Sequence, residues 1–528
     1  MKTLDKISFQ ELLPIPALIQ DFLADKLPSF EGNRFTWAHL QNKKEEKKNS
    51  YSKTSREVLV EALKEQYQDY SLSEKQLQNL ERLKDENTFT VTTGHQLNLF
   101  TGPVFFVYKI LQTIKTADEI NKQNLDFKAV PIFWLASEDH DFDEIHHFRT
   151  ENNYYEINEP HGGAVGRIKI RDQDFIHQFE EEFRGWPHGE ELIVLLKSAY
   201  AQGNTLVDST KILVQTLFSE YGVLVLDGDT RKLKEQMKII FKDELLNESL
   251  KTSTNEIVSL LEEKYHKVQV NPREINLFYL STSRNRIEKV GDIYRIVDTA
   301  IQFTKEEILN ELELYPERFS PNALMRPVYQ ETVLPNLMYI GGNAEIMYWF
   351  ELKDYFKKIN LPYPILTPRN SMLFLTQKLS EKIQRLNWKT RAIFEHKEDL
   401  IKRFLVCEHP IRELLDEKEE ALKQHFTELK EASRQTDITF AQLVDAEETR
   451  QLKSFIRMRK RLLRAERIKN EEWISRVERL WLAVHPKNVW QERVLNFSVF
   501  YSILGKDWLQ ICYKEQDILK PQMVVIEY

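Results

Sequence analysis

Glu138-Asp139-His140-Asp141-Phe142-Asp143-Glu144 puts six ionisable side chains into seven residues. Carboxylates held this close raise one another's pKa, so one of them can serve as a base. Carboxylates with a histidine also suit Mg²⁺ or a transition metal. The plain alternative is a solvated helix start whose acids complement the helix dipole. A second cluster is Thr93-Gly94-His95-Gln96-Leu97-Asn98. It reads as a glycine turn before a helix, where exposed backbone N–H groups favour an anion. His95 there could donate to a phosphate or shuttle a proton near neutral pH. Asn322 and Arg326 are four residues apart, on one face if helical, and Arg326 could clamp a carboxylate with two parallel hydrogen bonds. Gly341-Gly342-Asn343 reads as another glycine turn into a helix and a further anion position.

The first two clusters each follow a short apolar run, Phe89 to Thr92 and Ala129 to Ala136, that reads as a buried strand. Between them, Val104 to Ile120 has the apolar spacing of an amphipathic helix. A strand–helix–strand unit of this size implies parallel pairing with a right-handed crossover. Ligands bind beyond the carboxyl ends of parallel strands, so two polar clusters at neighbouring strand ends predict one shared pocket. Val223 to Leu226 and Pro364 to Thr367 read as further sheet strands. Residues 1–85 read as helical. Tyr154 to Ile157 and Val165 to Ile170 around Gly162-Gly163 read as a hairpin-like insertion, and 265–300 as a second β insertion with strands at Leu277 to Leu280 and Asp292 to Val297. After residue 371, apolar positions three to seven apart on charged stretches predict an antiparallel helical hairpin or coiled coil. Its arms fall at 376–405 and 450–481, with Arg459 and Asn470 where apolar residues are expected.

Composition bounds the rest. The 528 residues are enough for two or three domains, and 41% hydrophobic content supports a large core. Only 15 glycines point to long helices rather than a loop-rich or all-β chain. The net charge of −8 gives no bulk attraction to nucleic acid or to an anionic membrane. Two cysteines, Cys407 and Cys512, argue against a disulfide framework and fit a reducing cytosol. No apolar run approaches the length that spans a bilayer, so a soluble cytoplasmic protein is expected. Phosphate-binding G-x-x-x-x-G-K-[ST], dinucleotide G-x-G-x-x-G, zinc-binding H-E-x-x-H and C-x-x-C motifs are all missing from the sequence.

Thr93-Gly94-His95-Gln96 with Gly102-Pro103, Pro131 to Asp143, Ser320 to Gln330 with Gly341-Gly342-Asn343, and Gln491-Glu492-Arg493 together resemble the bacillithiol biosynthesis cysteine-adding enzyme family, BshC. The resemblance covers the whole chain in order. It implies an α/β fold: a nucleotidyltransferase-like Rossmann core with two connecting insertions and a long α-helical coiled-coil domain used for homodimerisation. It also implies addition of cysteine to the amine of glucosaminyl-malate, the last step of bacillithiol synthesis, and a suspected ATP- or ADP-type nucleotide. The corresponding division is 1–145 (N-terminal helices and first half of the core), 146–204 (first insertion), 205–264 (core), 265–319 (second insertion), 320–375 (core), 376–484 (helical arm) and 485–528 (a segment packing on the body). On this reading His95, Asp139, His140 and Asp141 are the catalytic candidates. Gly94, Gln96, Asn98, Glu138, Asn322, Arg326 and Asn343 are the substrate-binding ones, and no residue is assigned to a metal. Two other functions fit the same residues: a nucleotidyltransferase acting on another small metabolite, and a non-catalytic nucleotide-binding coiled-coil scaffold.

Overall fold

Strands covered on both faces by helices carry apolar runs without alternation. Five such strands form one parallel sheet in the computed structural model of the chain: β1 (Thr88–His95), β2 (Lys128–Leu135), β3 (Leu224–Asp227), β4 (Asn336–Gly341) and β5 (Ile365–Pro368). Their order across the sheet is β5-β4-β1-β2-β3. The helix Phe105–Lys122 crosses from β1 to β2, as the apolar spacing predicts. Phe89, Val91, Ala117, Ile120, Ala129, Met338, Ile340 and Ile365 pack into one buried cluster between sheet and helices. The chain lays down β1, β2 and β3 in one direction, then returns to place β4 on the other side of β1. That reversal is the topological switch point, where open α/β sheets receive ligands.

The structure describes residues 1–123, 125–386, 388–407 and 410–528, side chains at 406 and 407 excepted. They form two compact units. The first comprises Met1–Glu11, Ile15–Phe374 and Trp490–Ile526, and the second Leu12–Pro14, Leu375–Val489 and Glu527–Tyr528. Cys512 is a buried free thiol, and the Cys407 side chain lies outside the described residues. Among the described residues, no helix is long and apolar enough to cross a membrane.

Several sequence expectations are corrected. Residues 1–85 are not wholly helical: Lys2–Ser8 is a strand in a three-stranded sheet with Gln522–Glu527 and Ser371–Leu375. Its partners come from the far end of the chain, so its local pattern carries no sign of them. The first hairpin pairs His147–Arg149 with Tyr154–Glu156, while Val165–Arg167 is a 3₁₀ turn rather than a strand. The second insertion does form an antiparallel sheet, from Leu277–Leu280, Arg284–Val290, Ile293–Ile296 and Gln302–Phe303, with Phe319–Pro321 added alongside Leu277–Leu280.

Within the second unit, the helical hairpin is built from Pro410–Ser433 and Ile438–Lys469, not from arms at 376–405 and 450–481. The polar stretch 431–438 contains its tip, where Asp437 accepts the N–H groups of Thr439 (2.7 Å) and Phe440 (3.1 Å). Arg459 replaces an apolar seam residue by reaching the facing helix, where it pairs with Asp416 at 2.6 Å and with Glu419. Asn470 marks the break between Ile438–Lys469 and the next helix, Glu471–Val484.

Candidate functional site

A cleft of about 650 Å³ opens at the carboxyl ends of β1, β2 and β4, at the switch point, and all of its lining residues belong to the first unit. Gly94, His95, Gln96, Glu138, Asp139, His140, Asn322 and Arg326 line it. The structure therefore brings together eight of the residues singled out from sequence. Asn98, Asp141 and Asn343 lie outside the lining.

The local geometry changes what several of these residues do. Gly94 is not in a turn: β1 runs through His95, with Gly94 opposite Trp134 and His95 opposite Leu135. After a 3₁₀ turn at Leu99–Thr101 the next α-helix in the chain starts only at Phe105, so Gly94 does not open it. A Cβ on Gly94 would lie 3.6 Å from Arg326 Nη1, an ordinary contact distance, which places Arg326 against the strand at this glycine. The glycine whose backbone is demanding is Gly102, with φ +62° and a Cβ position only 2.7 Å from Asn98 Cβ. Asn98 is thus packed into the strap between β1 and the helix. Asp141 is exposed and caps Phe142–Ile145 by accepting the Glu144 N–H at 3.3 Å. Asn343 is the first residue of the helix Asn343–Phe350, and the helical twist turns Glu345 into the cleft in its place.

Glu345 is the hub of the inner wall. Lys109, fully buried, donates from Nζ to Gly94 O (2.6 Å) and to Glu345 Oε1 (2.7 Å) and Oε2 (2.9 Å). The Tyr339 hydroxyl donates to Oε2 at 2.5 Å and the Gly342 N–H to Oε1 at 3.2 Å. Burial works to raise the Glu345 carboxyl, but Lys109 and Tyr339 hold it down at about 2. His95 sits beside this pair, its ring 5.2 Å from Phe105 and 5.5 Å from Phe106, with Nε2 buried and without a hydrogen-bond partner among the described residues. Burial, reinforced by the Lys109 charge, lowers its pKa to about 3. The expected proton shuttle near neutral pH is therefore corrected: the imidazole stays neutral. Nuclear magnetic resonance of ¹⁵N-labelled protein is expected to show His95 neutral from pH 8 down to pH 5. A midpoint near 6 or 7 would contradict this environment.

The opposite wall is held by groups that sequence reading missed. Arg284, buried, donates from Nε to Ser320 Oγ (3.0 Å), from Nη2 to Pro321 O (2.8 Å) and from Nη1 to His140 Nδ1 (2.8 Å). A guanidinium can only donate, so His140 Nδ1 accepts and its proton rests on Nε2. His140 acts as a base only if Arg284 releases it. Asp139 accepts from Gln96 Nε2 (2.9 Å) and the His140 N–H (2.8 Å) and faces Arg284 Nη1 at 3.8 Å. Burial pushes its carboxyl up, but His140, Gln96 and Arg284 outweigh that and keep it well below the usual carboxylate range. Asp139 is a fixed charge and a poor proton acceptor. Glu138 is the reverse case: burial raises its carboxyl despite an ion pair with the buried Lys234, and Ser320 Oγ donates to Oε2 at 3.0 Å.

Arg326 enters from the helix Met325–Val333. Asn322 caps that helix, its Oδ1 accepting the N–H groups of Leu324 (3.0 Å) and Met325 (2.9 Å). Arg326 Nη1 donates to Gln330 Oε1 at 2.9 Å, while Nη2 is buried without a hydrogen-bond partner among the described residues. Behind it, Gln330 and Asn336 donate to Glu331, and Lys47 lies within 3.7 Å of that carboxylate. This buried chain fixes Arg326 from below. Arg369, at the close of β5, is spent on Glu492 through contacts of 2.8 and 3.1 Å and does not face the cleft. Among the described residues, no group of three or more His, Cys, Asp and Glu side chains is placed to hold a metal ion. Neither Arg284, two residues from Arg286, nor Lys234, in the run Arg231-Lys232-Leu233-Lys234, falls in a recognisable motif, and His140 and Arg284 are 144 residues apart.

A Rossmann-like α/β core with a polar cleft at its switch point, together with a helical-hairpin unit, defines a two-unit α/β protein whose core is placed to receive a small-molecule ligand. The comparisons narrow it. Residues 3–370 match the model "Bacillithiol biosynthesis BshC, N-terminal Rossmann-like domain", and 372–528 match "Bacillithiol biosynthesis BshC, C-terminal coiled-coil domain". The chain is 38% identical over 523 residues, 98% of each chain, to "Putative cysteine ligase BshC" of Flavobacterium johnsoniae. It is 35% identical over 530 residues to the protein of the same name from Christiangramia forsetii, covering 99% of this chain and 98% of that one. The Bacillus cereus protein of that name is 28% identical over 476 residues, covering 86% and 87%. The chain belongs to the BshC family.

Proposed function

We propose that this chain is a cytoplasmic ligase that joins the cysteine carboxylate to the amine of glucosaminyl-malate, forming bacillithiol. The observation that carries this reading is the charge pattern of the cleft. Each lining carboxylate already has its cation: Glu138 has Lys234, Asp139 has Arg284 and Glu345 has Lys109. Arg326 has no carboxylate within ion-pair distance among the described residues, and its neighbours Tyr339 and Tyr348 are phenols that burial keeps neutral. A buried guanidinium with a spare N–H is built to orient a carboxylate. In this reading Arg326 holds the cysteine carboxylate, and His95 donates or accepts as a neutral imidazole beside it. A carboxylate is a poor electrophile, so ATP is the expected activating co-substrate. The protein's contribution is positioning and stabilisation of developing negative charge. The sugar amine must lose a proton as the amide forms. Of the three cleft carboxylates, Glu138 alone has its proton affinity raised, so Glu138 is assigned to receive it.

Mass spectrometry of the purified protein with ATP, cysteine and glucosaminyl-malate is expected to show bacillithiol, with AMP or ADP reporting the mode of activation. Nucleotide release without an amide product would favour a nucleotidyltransferase, and no reaction at all would favour a scaffold.

We also propose a homodimer through the helical arm. Ile438, Leu443, Ile456 and Ile468 on the helix Ile438–Lys469 are all at least half exposed, apolar side chains that a second copy of the arm would cover. Light scattering is expected to give a dimer for the full chain and a monomer for the combined Leu443→Asp, Ile456→Asp and Ile468→Asp variant. A dimer that survives these changes would remove the arm from the interface.

A further inference from the structure

Two more arginines line the cleft, and the Rossmann core supplies neither. Arg286 stands on Arg284–Val290, directly opposite Phe278 on the paired strand. Side chains two apart on a strand share a face. Arg284 turns that face toward His140, and its guanidinium lies 3.9 Å from the centre of the Phe278 ring. Arg286 therefore continues the same wall outward. Arg273 comes from the segment before Leu277–Leu280, which is tied down at both ends. Glu351 Oε1 accepts the N–H groups of Gln269 (3.1 Å) and Val270 (3.3 Å). Asn276 accepts the Arg273 N–H (3.1 Å), donates to Arg273 O (2.8 Å), and is itself gripped by Glu244.

The backbone under both arginines is fixed, yet neither guanidinium has a hydrogen bond or ion pair among the described residues. All three cleft carboxylates are already matched with other cations. Val270, Ile275, Leu277 and Phe278 make the surrounding wall apolar, which strengthens any ion pair formed against it. Two unmatched cations on one wall, Arg286 half-buried and Arg273 exposed, call for a ligand with two negative charges.

We propose that Arg273 and Arg286 form a dicarboxylate subsite that grips the malyl end of the acceptor and so selects a dianionic aglycone. This rests on the ligase reading, with the acceptor's amine turned inward toward Glu138 and its two carboxylates outward. The second β insertion is then a specificity element mounted on the core.

Isothermal titration with the full chain separates the two claims without turnover. The probes are glucosaminyl-malate, methyl glucosaminide (the same amine with no carboxylate), cysteine and ATP. The proteins are wild type, R273Q, R286Q and R286K, with melting temperatures as folding controls. Losing charge-assisted hydrogen bonds weakens binding about 10–100-fold. The expected result is a loss of that size for glucosaminyl-malate in R273Q and R286Q, partial recovery in R286K, and unchanged cysteine and ATP binding. Wild-type binding that neither variant weakens would overturn the subsite while leaving the ligase reading intact. Weaker ATP binding in the variants would overturn it in favour of a phosphate site. A wild type that does not bind glucosaminyl-malate would bring down the ligase reading and the subsite with it.

Discussion

Replacing Lys109 with methionine is expected to cost about 3–5 kcal/mol of unfolding free energy, because it strands a buried carboxylate whose partner cation is gone. Lys109 is 1% exposed and bridges the end of β1 to the helix Asn343–Phe350 through Gly94 O and both oxygens of Glu345. The loss should depend on pH in a set direction. In the wild type the Glu345 carboxyl falls from an ordinary 4.5 to about 2, so its contribution is complete above about 4.5 and disappears as pH falls toward 2. In K109M the ionised form becomes unfavourable, so destabilisation is greatest at neutral pH and shrinks in acid. Urea unfolding at pH 7 and pH 3 measures both values. The double variant K109M/E345Q removes the stranded charge and should recover part of the loss. A loss under 1 kcal/mol, or one independent of pH, would contradict the buried pair.

Glu138→Gln is expected to reduce turnover about 10²–10⁴-fold, the usual worth of a positioned proton acceptor. Glutamine keeps the size and can still meet Ser320, but it takes no proton. The kcat–pH profile of the wild type should rise with pH as Glu138 ionises above the ordinary carboxylate range, and E138Q should lose that limb. Asp139→Asn is the informative contrast: Asp139 is held ionised throughout, so its loss should lower the rate without moving the limb. An unchanged profile in E138Q would pass the proton to another group, with His140, freed from Arg284, the first alternative.

The parallel core and its polar strand ends are legible from residue order because they are local. Apolar runs at 89–92 and 129–136 and the acidic burst after the second need no distant partner to be recognised. β4 was harder: Asn336–Gly341 ends in glycines that read as a turn, and only pairing with β1 and β5 makes it a strand. The same limit hid half the site. Arg284, Lys234, Arg273 and Arg286 belong to no motif in the sequence, and meaning comes to them from carboxylates or unmatched space brought near by the fold. Asn343 and Glu345 differ only by helical rotation, which a glycine-turn reading does not resolve. In the arm, charge at Arg459 looked like an interruption of the seam because its partners Asp416 and Glu419 lie on the other helix.

In the ligase reading, Arg326 holds cysteine at the switch-point cleft. Soaking crystals of the protein with selenocysteine and locating selenium by anomalous scattering tests it most directly. One strong peak is expected in the cleft, with the ligand carboxylate within hydrogen-bond distance of Arg326 Nη2, and no peak in crystals of Arg326→Gln. A peak elsewhere on the chain, or one in the cleft that persists in the variant, would contradict it.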